Sequence, residues 1–452
     1  MMGLFAGVFG HGGIERQVDD GAWLRALLDA EAALARAHAA CGRITAADAE
    51  AVARACVPDA VDAEAIGRAA ADGGNPVIPL VREVTRAVGG DAARHVHTGA
   101  TSQDIMDTAA MLVARRAGAV ILAEGAAATG ALAGLAAGHR GTLMAGRTLL
   151  QQALPVTFGL VAAGWLNGVG TALERLDAVL AEGCAVQLGG AAGTLASLGD
   201  DGPRVAAAFA AELGLAEPLL PWHTDRGRIA DLAGALARVS GAVGKAAGDI
   251  VLLAQTEVGE AAEAGGAGVG GSSTLPHKRN PVAAVSAVAC AEQAPGLAAT
   301  LLAAQVQQHQ RAAGAWQSEW PALTHLLRVT GAAVAWLGTS LERLHVDPAR
   351  MRANLDLTGG FALAERVTTD LAADLGRLPA HDLVRAACTE ASDSGRNLAD
   401  TLADRLAGRR TRDEIAALLD PAAYLGQAGE FTDRALQAHH ARAAQRPRFP
   451  RP

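Results

Sequence analysis

The sequence predicts an all-α protein, a long central helical bundle with smaller helical domains at both ends. Half of the residues are hydrophobic but only 3% are aromatic. The apolar content is therefore mainly Ala, Leu and Val, and alanine is the strongest helix former. No proline falls between Pro79 and Pro155 or between Pro221 and Pro276. Proline breaks helix interiors, so these gaps leave room for helices well beyond the usual length. In the second gap Leu232, Leu236, Val239 and Val243 form one stripe, with Gly234, Gly241, Gly244 and Gly248 between them. Small residues beside an apolar stripe let neighbouring helices approach closely, as in the middle of a bundle.

The elements follow in order. Residues 22–41 place Trp23, Leu27, Leu34 and Ala37 close to helical spacing, with Arg25, Asp29 and Arg36 on other faces. A second helix fits 46–56, and Asn75, Pro76 and Pro79 punctuate a loop. These elements belong to an N-terminal domain, 1–107. The central bundle takes 108–346 and contains a mobile loop, 265–281. Around Asp347-Pro348 the character changes to shorter helices with more Asp, Arg and Thr, which sets a C-terminal domain at 347–452. Its last residues, 445–452, are rich in Pro and Arg and read as disordered.

Composition narrows the function. A net charge of -8 argues against nucleic acid as the main partner. The Ala/Gly-rich stretch 117–138 is interrupted by Glu124 and reads as a buried bundle helix rather than a membrane span. Met1 to Gly10 lacks the basic start and apolar run of a leader. The five cysteines are scattered with no C-x-x-C, so a disulfide framework or zinc knuckle is not indicated and a reducing cytoplasm is the simplest setting. Gly266 to Gly271 satisfies G-x-G-x-x-G, but it follows a helix and precedes a Ser/Pro loop, the wrong context for a dinucleotide fingerprint. The histidines form no H-E-x-x-H pattern. Neither a cofactor nor a metal is expected.

Chemistry concentrates in polar islands. His97-Thr98-Gly99-Ala100-Thr101-Ser102-Gln103-Asp104 reads either as a helix N-cap alone or as a carboxylate site at a helix N-terminus. Gly146 to Pro155 holds Arg147, Leu149 and Gln151; Arg147 is either a bidentate clamp for a substrate carboxylate or one half of a structural ion pair. Gln255 ends the central helix in Gln255-Thr256-Glu257-Val258-Gly259-Glu260, and Arg311 follows His309-Gln310. Gly270-Gly271-Ser272-Ser273-Thr274-Leu275-Pro276-His277-Lys278-Arg279-Asn280-Pro281 packs hydroxyls, cations and an amide into a loop free at its glycine end and braced at its proline end.

This last string resembles the mobile loop of the aspartase/fumarase superfamily, G-S-S-x-x-P-x-K-x-N. The 97–104 island resembles the superfamily's first signature, H-x-G-x-T-S-x-D. Gly146 to Pro155 resembles the second, which reads R-T-H in amine-eliminating members; this chain has Leu149 in place of the histidine. With Pro221-Trp222-His223-Thr224, Asn354 to Thr358 and Asp420 to Ala428, the chain resembles the cycloisomerase branch that closes a muconate tricarboxylate into a lactone. The resemblance implies proton transfer beside a carboxylate through an aci-carboxylate. By the same resemblance Ser272 is expected to carry the proton, Ser273 to support it and Lys278 to stabilise charge, with His97, Thr101, Ser102, Arg147, Gln151, Gln255, Asn280 and Arg311 binding substrate. It also implies a homotetramer with each site built from three subunits, acting on a small tricarboxylate without nucleic acid or membrane. The alternatives are a lyase expelling a good leaving group such as nitrite, an adenylosuccinate lyase, and a non-catalytic structural relative.

Overall fold

The computed structural model describes residues 4–265, 270–271, 274–275 and 277–444. Ser272, Ser273 and the 445–452 tail lie outside the described residues.

Helix α1 spans Asp20–Ala40 and starts where the Asp19 carboxylate accepts the Ala22 N–H at 2.8 Å, a side-chain N-cap. Its buried face carries Leu24, Leu27, Leu28 and Leu34, but also Glu31 and His38. A helix over Ala46–Ala55 follows, capped by Thr45. The segment read as a loop around Pro79 is instead a helix, Val77–Val88. Pro79 sits in its first turn, where the missing N–H has no helical acceptor to lose.

The bundle is made from α2 (Ser102–Gly138), α3 (Phe158–Gly183), α4 (Gly227–Leu253), the consecutive α5 (Val282–Ala291) and α6 (Ala294–Ala303), and α7 (Ala315–Arg343). At 37 residues, α2 is about 55 Å long. Side-chain bonds fix the directions. Arg226, just before α4, and Trp316, in the first turn of α7, both donate to Asp107 in the second turn of α2. So α2, α4 and α7 start at one end, here the near end. Helix α3 runs back to it: past its last turn, the Gln187 N–H donates to the Thr108 hydroxyl at 2.9 Å. Close packing explains two glycines of α2. A side chain at Gly118 would collide with Leu180, and one at Gly125 with Leu173, both on α3.

The far end carries two small antiparallel sheets. Strands β1 (Leu143–Thr148) and β2 (Gln151–Thr157) form a hairpin between α2 and α3, and β3 (Ala261–Glu263) pairs with β4 (Leu344–Val346). One apolar core runs from Ile14 to Met351, so the N-terminal helices and the bundle share it. A second, smaller core covers Val367 to Ile415. Burial pushes the Cys56, Cys184 and Cys290 thiols up to about 12, which leaves them protonated and inert at neutral pH.

Candidate functional site

The near end organises the first island around Asp104. One Asp104 oxygen accepts the Gly189 N–H at 3.0 Å and His223 Nε2–H at 2.6 Å. The other accepts the Gly190 and Thr101 N–H groups, each at 2.9 Å. This buried carboxylate ties the start of α2 to the 189–190 turn, where nothing but glycine fits closely: a side chain at Gly190 would press on the Gly99 carbonyl. Arg311 closes the surface, donating to Gln103 Oε1 at 3.0 Å and to the Gly190 and Ala191 carbonyls at 2.9 and 2.8 Å. His97 lies beside it with a left-handed φ of 60°, and its Nδ1–H donates to Glu31 at 2.6 Å. Burial disfavours the charged ring, but the Glu31 carboxylate, its hydrogen bond and Asp104 together hold the His97 pKa above the ordinary histidine value. The structure thus brings His97, Thr101, Ser102 and Arg311 together at one end of the bundle.

Beneath this surface Arg226 is fully buried between two carboxylates. It donates to Asp107 at 2.8 and 3.0 Å and to Glu319 at 3.0, 3.2 and 2.6 Å. Burial works against its charge, and the two acids outweigh it and raise its pKa. Sequence reading missed this triad and Glu31. The signal was available: Glu31 and His38 sit in register with Leu27 and Leu34 on the apolar stripe of α1, and a charge on such a stripe must find a partner.

At the far end Arg147 makes an ion pair, one of the two readings its sequence setting left open. Its two terminal nitrogens meet both oxygens of Glu260 at 2.9 and 2.7 Å, and Asn354 Nδ2 adds a third bond at 2.8 Å. The Glu260 side chain is 0% exposed, and a buried carboxylate without this partner would cost several kcal/mol. Of the two readings open for Arg147, the structure takes the ion pair. Gly146 makes the approach possible: the β1–β2 register shifts between Ala145 and Arg147, and a side chain at Gly146 would strike the Leu154 carbonyl. Such a bulge re-aims the next side chain. Gln255 and Gln151 are exposed at this same end.

The loop closes on itself at its base. The Asn280 N–H and Nδ2 both donate to the Gly270 carbonyl, at 2.9 and 3.2 Å. Gly270 has φ 71°, and a side chain there would press on the Asn280 carbonyl. Asn280 thus latches the base of the loop. Lys278 is exposed on the loop. After the loop, α5 begins on Glu263, whose oxygens accept the Ala283 and Ala284 N–H groups and the Ser340 hydroxyl.

Leu149 and Leu150 form the two-residue tip of the β1–β2 hairpin, with φ of 51° and 64°. They are 97% and 74% exposed. Two left-handed residues in a row match a type I′ turn, which favours Asn-Gly. Leucine there is strained, by about 1–2 kcal/mol per residue. In chains kept dissociated, the double change Leu149→Asn/Leu150→Gly is expected to raise the thermal midpoint in calorimetry. An unchanged or lower midpoint there would show that the turn carries no strain.

Over residues 14–296 the chain matches the family described as Lyase, and over 360–435 the one described as Adenylosuccinate lyase C-terminus. It is 47% identical over 440 residues to the 3-carboxy-cis,cis-muconate cycloisomerase of Bradyrhizobium diazoefficiens, covering 96% of this chain and 98% of that one. It is 45% identical over 436 residues to the nitrosuccinate lyase of Streptomyces davaonensis, covering 94% and 92%. The crystal structure of 3-carboxy-cis,cis-muconate lactonizing enzyme from Pseudomonas putida superposes with a TM-score of 0.92 at 40% identity, covering 98% of this chain and 100% of that chain.

Proposed function

Because the chain belongs to this lyase family, within the aspartase/fumarase superfamily, we propose that it is a cycloisomerase closing 3-carboxy-cis,cis-muconate to 4-carboxymuconolactone. A substrate carboxylate oxygen adds to a carbon of the double bond in the same molecule. The displaced electron pair moves onto the neighbouring carboxylate as an aci-carboxylate, and a proton then adds to the carbon beside it. The nucleophile is intramolecular, so the protein's tasks are orientation, charge stabilisation and carbon protonation.

The observation that carries this reading beyond family membership is Leu149. An amine leaves poorly without a proton donor, and the hairpin tip offers only two exposed leucines. In lactonisation, read backwards, the leaving group is a carboxylate with a pKa near ~4, which needs no donor. Expulsion of nitrite also needs none, and the 45% identity to a nitrosuccinate lyase keeps that as the second reading. Purified protein assayed in parallel with 3-carboxymuconate, nitrosuccinate and adenylosuccinate decides. Loss of the conjugated-diene absorbance is expected with the first. Efficient adenylosuccinate cleavage without muconate turnover would overturn the proposal.

The site is completed by other copies of the chain. His97, Thr101, Ser102 and Arg311 lie at the near end, while the hairpin tip and the latched loop lie at the far end. Between them runs α4, whose 27 residues span roughly 40 Å. A small tricarboxylate cannot bridge that distance, so the halves meet only if neighbouring bundles pack antiparallel. The glycines support this: side chains at Gly234, Gly241 and Gly248 on α4, or Gly130 and Gly134 on α2, would meet no atom of the described residues within 4 Å. Seven-residue spacing keeps the α4 set on one face. A homotetramer is the expected species in sedimentation, and a monomer at micromolar concentration would refute shared sites.

A further inference from the structure

We propose that Glu31 holds His97 as an imidazolium that grips one substrate carboxylate, so that Glu31 is a positioning residue of the site. The inference deepens the cycloisomerase reading and rests on it for the identity of the ligand. It begins from a contrast among the buried acids. Asp104, Asp107, Glu260 and Glu263 have both oxygens hydrogen-bonded. Glu31 is 1% exposed, yet its second oxygen is buried with no hydrogen-bond partner among the described residues. Its first oxygen meets a single group, the His97 ring, at 2.6 Å. A half-satisfied buried carboxylate is poorly placed as structural glue. Its charge acts mainly on the imidazole.

The imidazole is placed to pass that charge on. A carboxylate can only accept, so Nδ1 carries the proton toward Glu31. Nε2 has no hydrogen-bond partner among the described residues, and the His97 side chain is 19% exposed. The backbone is held for this purpose in the left-handed region, φ 60°, a conformation a non-glycine residue keeps only when its surroundings impose it. The brace comes from α1 again. His38 Nε2–H donates to the Thr98 carbonyl at 2.9 Å, and burial holds His38 below its ordinary pKa, hence neutral. The charged groups acting on His97 are Glu31 from α1 and Asp104 from α2, both of which favour the protonated ring. Arg311, on the same surface, is the second cation. Two cations beside the hydroxyls of Thr101 and Ser102, at the N-terminus of α2, form a recess for carboxylates.

Protonation then sets an upper pH limit for binding. The His97 pKa is raised, so the imidazolium is fully present below ~6.5 and is lost as pH rises through the higher folded-state value. The test uses full-length protein labelled with 13C at histidine Cε1, the His97 signal being identified by its absence in His97→Asn. In the wild type the signal should titrate above the free-imidazole value, and in Glu31→Gln at or below it. Affinity for the unreactive propane-1,2,3-tricarboxylate is measured from pH 6 to 8.5. At neutral pH Glu31→Gln should bind about tenfold more weakly, the worth of one charge-assisted bond, and recover as the pH is lowered and the ring protonates. Equal weakening at every pH, or a wild-type His97 titrating at or below free imidazole, would overturn the proposal. The wild-type titration decides even if Glu31→Gln does not fold. It needs no substrate, so it stands or falls apart from the muconate assay.

Discussion

Ser272→Ala is expected to lower kcat by about a hundredfold or more, the range for removing a general acid–base group, without changing the circular dichroism spectrum. Ser272 lies in the loop whose two ends are joined by Gly270 and Asn280, so its removal leaves the helices untouched. A serine hydroxyl ordinarily holds its proton too tightly to act as a base. A nearby cation and loop N–H groups would stabilise an alkoxide and lower that barrier, and Lys278 is in the same loop. The arrangement of the fold adds a second expectation. The base of the loop, Gly270 and Asn280, belongs to the far end of one chain and Arg311 to the near end. If sites are shared, mixing inactive Ser272→Ala and Arg311→Ala proteins under conditions that exchange subunits restores part of the activity, because some sites then draw both wild-type residues. Near-wild-type turnover by Ser272→Ala would move the proton donor elsewhere, to His97 first.

Arg226→Met should produce the largest loss of stability. Its side chain is 0% exposed, between Asp107 at 3% and Glu319 at 4%. Methionine fills much of the volume but leaves two carboxylates buried without a cation. Breaking a buried pair in this way costs about 3–5 kcal/mol, and here one change breaks two pairs. The variant should also respond to pH in a definite sense. Burial already raises the Glu319 pKa, with Arg226 opposing that rise. With the arginine gone the folded state binds more protons than the unfolded one, so stability falls as pH rises and recovers on acidification. Chemical denaturation at pH 5.5 and 8 reads this directly. A midpoint within a few tenths of wild type at both pH values would show that water or rearrangement compensates the acids.

Periodicity and proline spacing were enough to place α1 and α4 and to leave room for α2, but not to find α3 or α7, the latter with Pro321 inside it. The proline-free gaps correspond to α2 and α4, and the stripe Leu232, Leu236, Val239, Val243 is buried on α4. Pro79 misled because proline is disfavoured in helix interiors but tolerated in a first turn, and one residue's position within an element depends on where the cap falls. The β1–β2 hairpin was not legible for a related reason. Its turn is built from Leu149 and Leu150 rather than the Asn-Gly that marks such turns, so the local signal was absent and the tertiary setting supplied the geometry.

What the sequence by itself determined is the helical class, the lyase superfamily and the islands where chemistry gathers. Those follow from local patterns: spacing along a helix, a loop bounded by glycine and proline, a short string of polar residues. Only the tertiary structure decided which charge meets which. Arg147 and Glu260 are 113 residues apart, His97 and Glu31 are 66 apart, and Arg226 lies 119 from Asp107 and 93 from Glu319. A buried charge must be paired, but sequence spacing does not say with what, because the pairing is set by which helices end at the same end of the bundle. That is why the partner of Arg147, an internal acid, and Glu31, unremarked on an alanine-rich helix behind His97, could not be read from spacing.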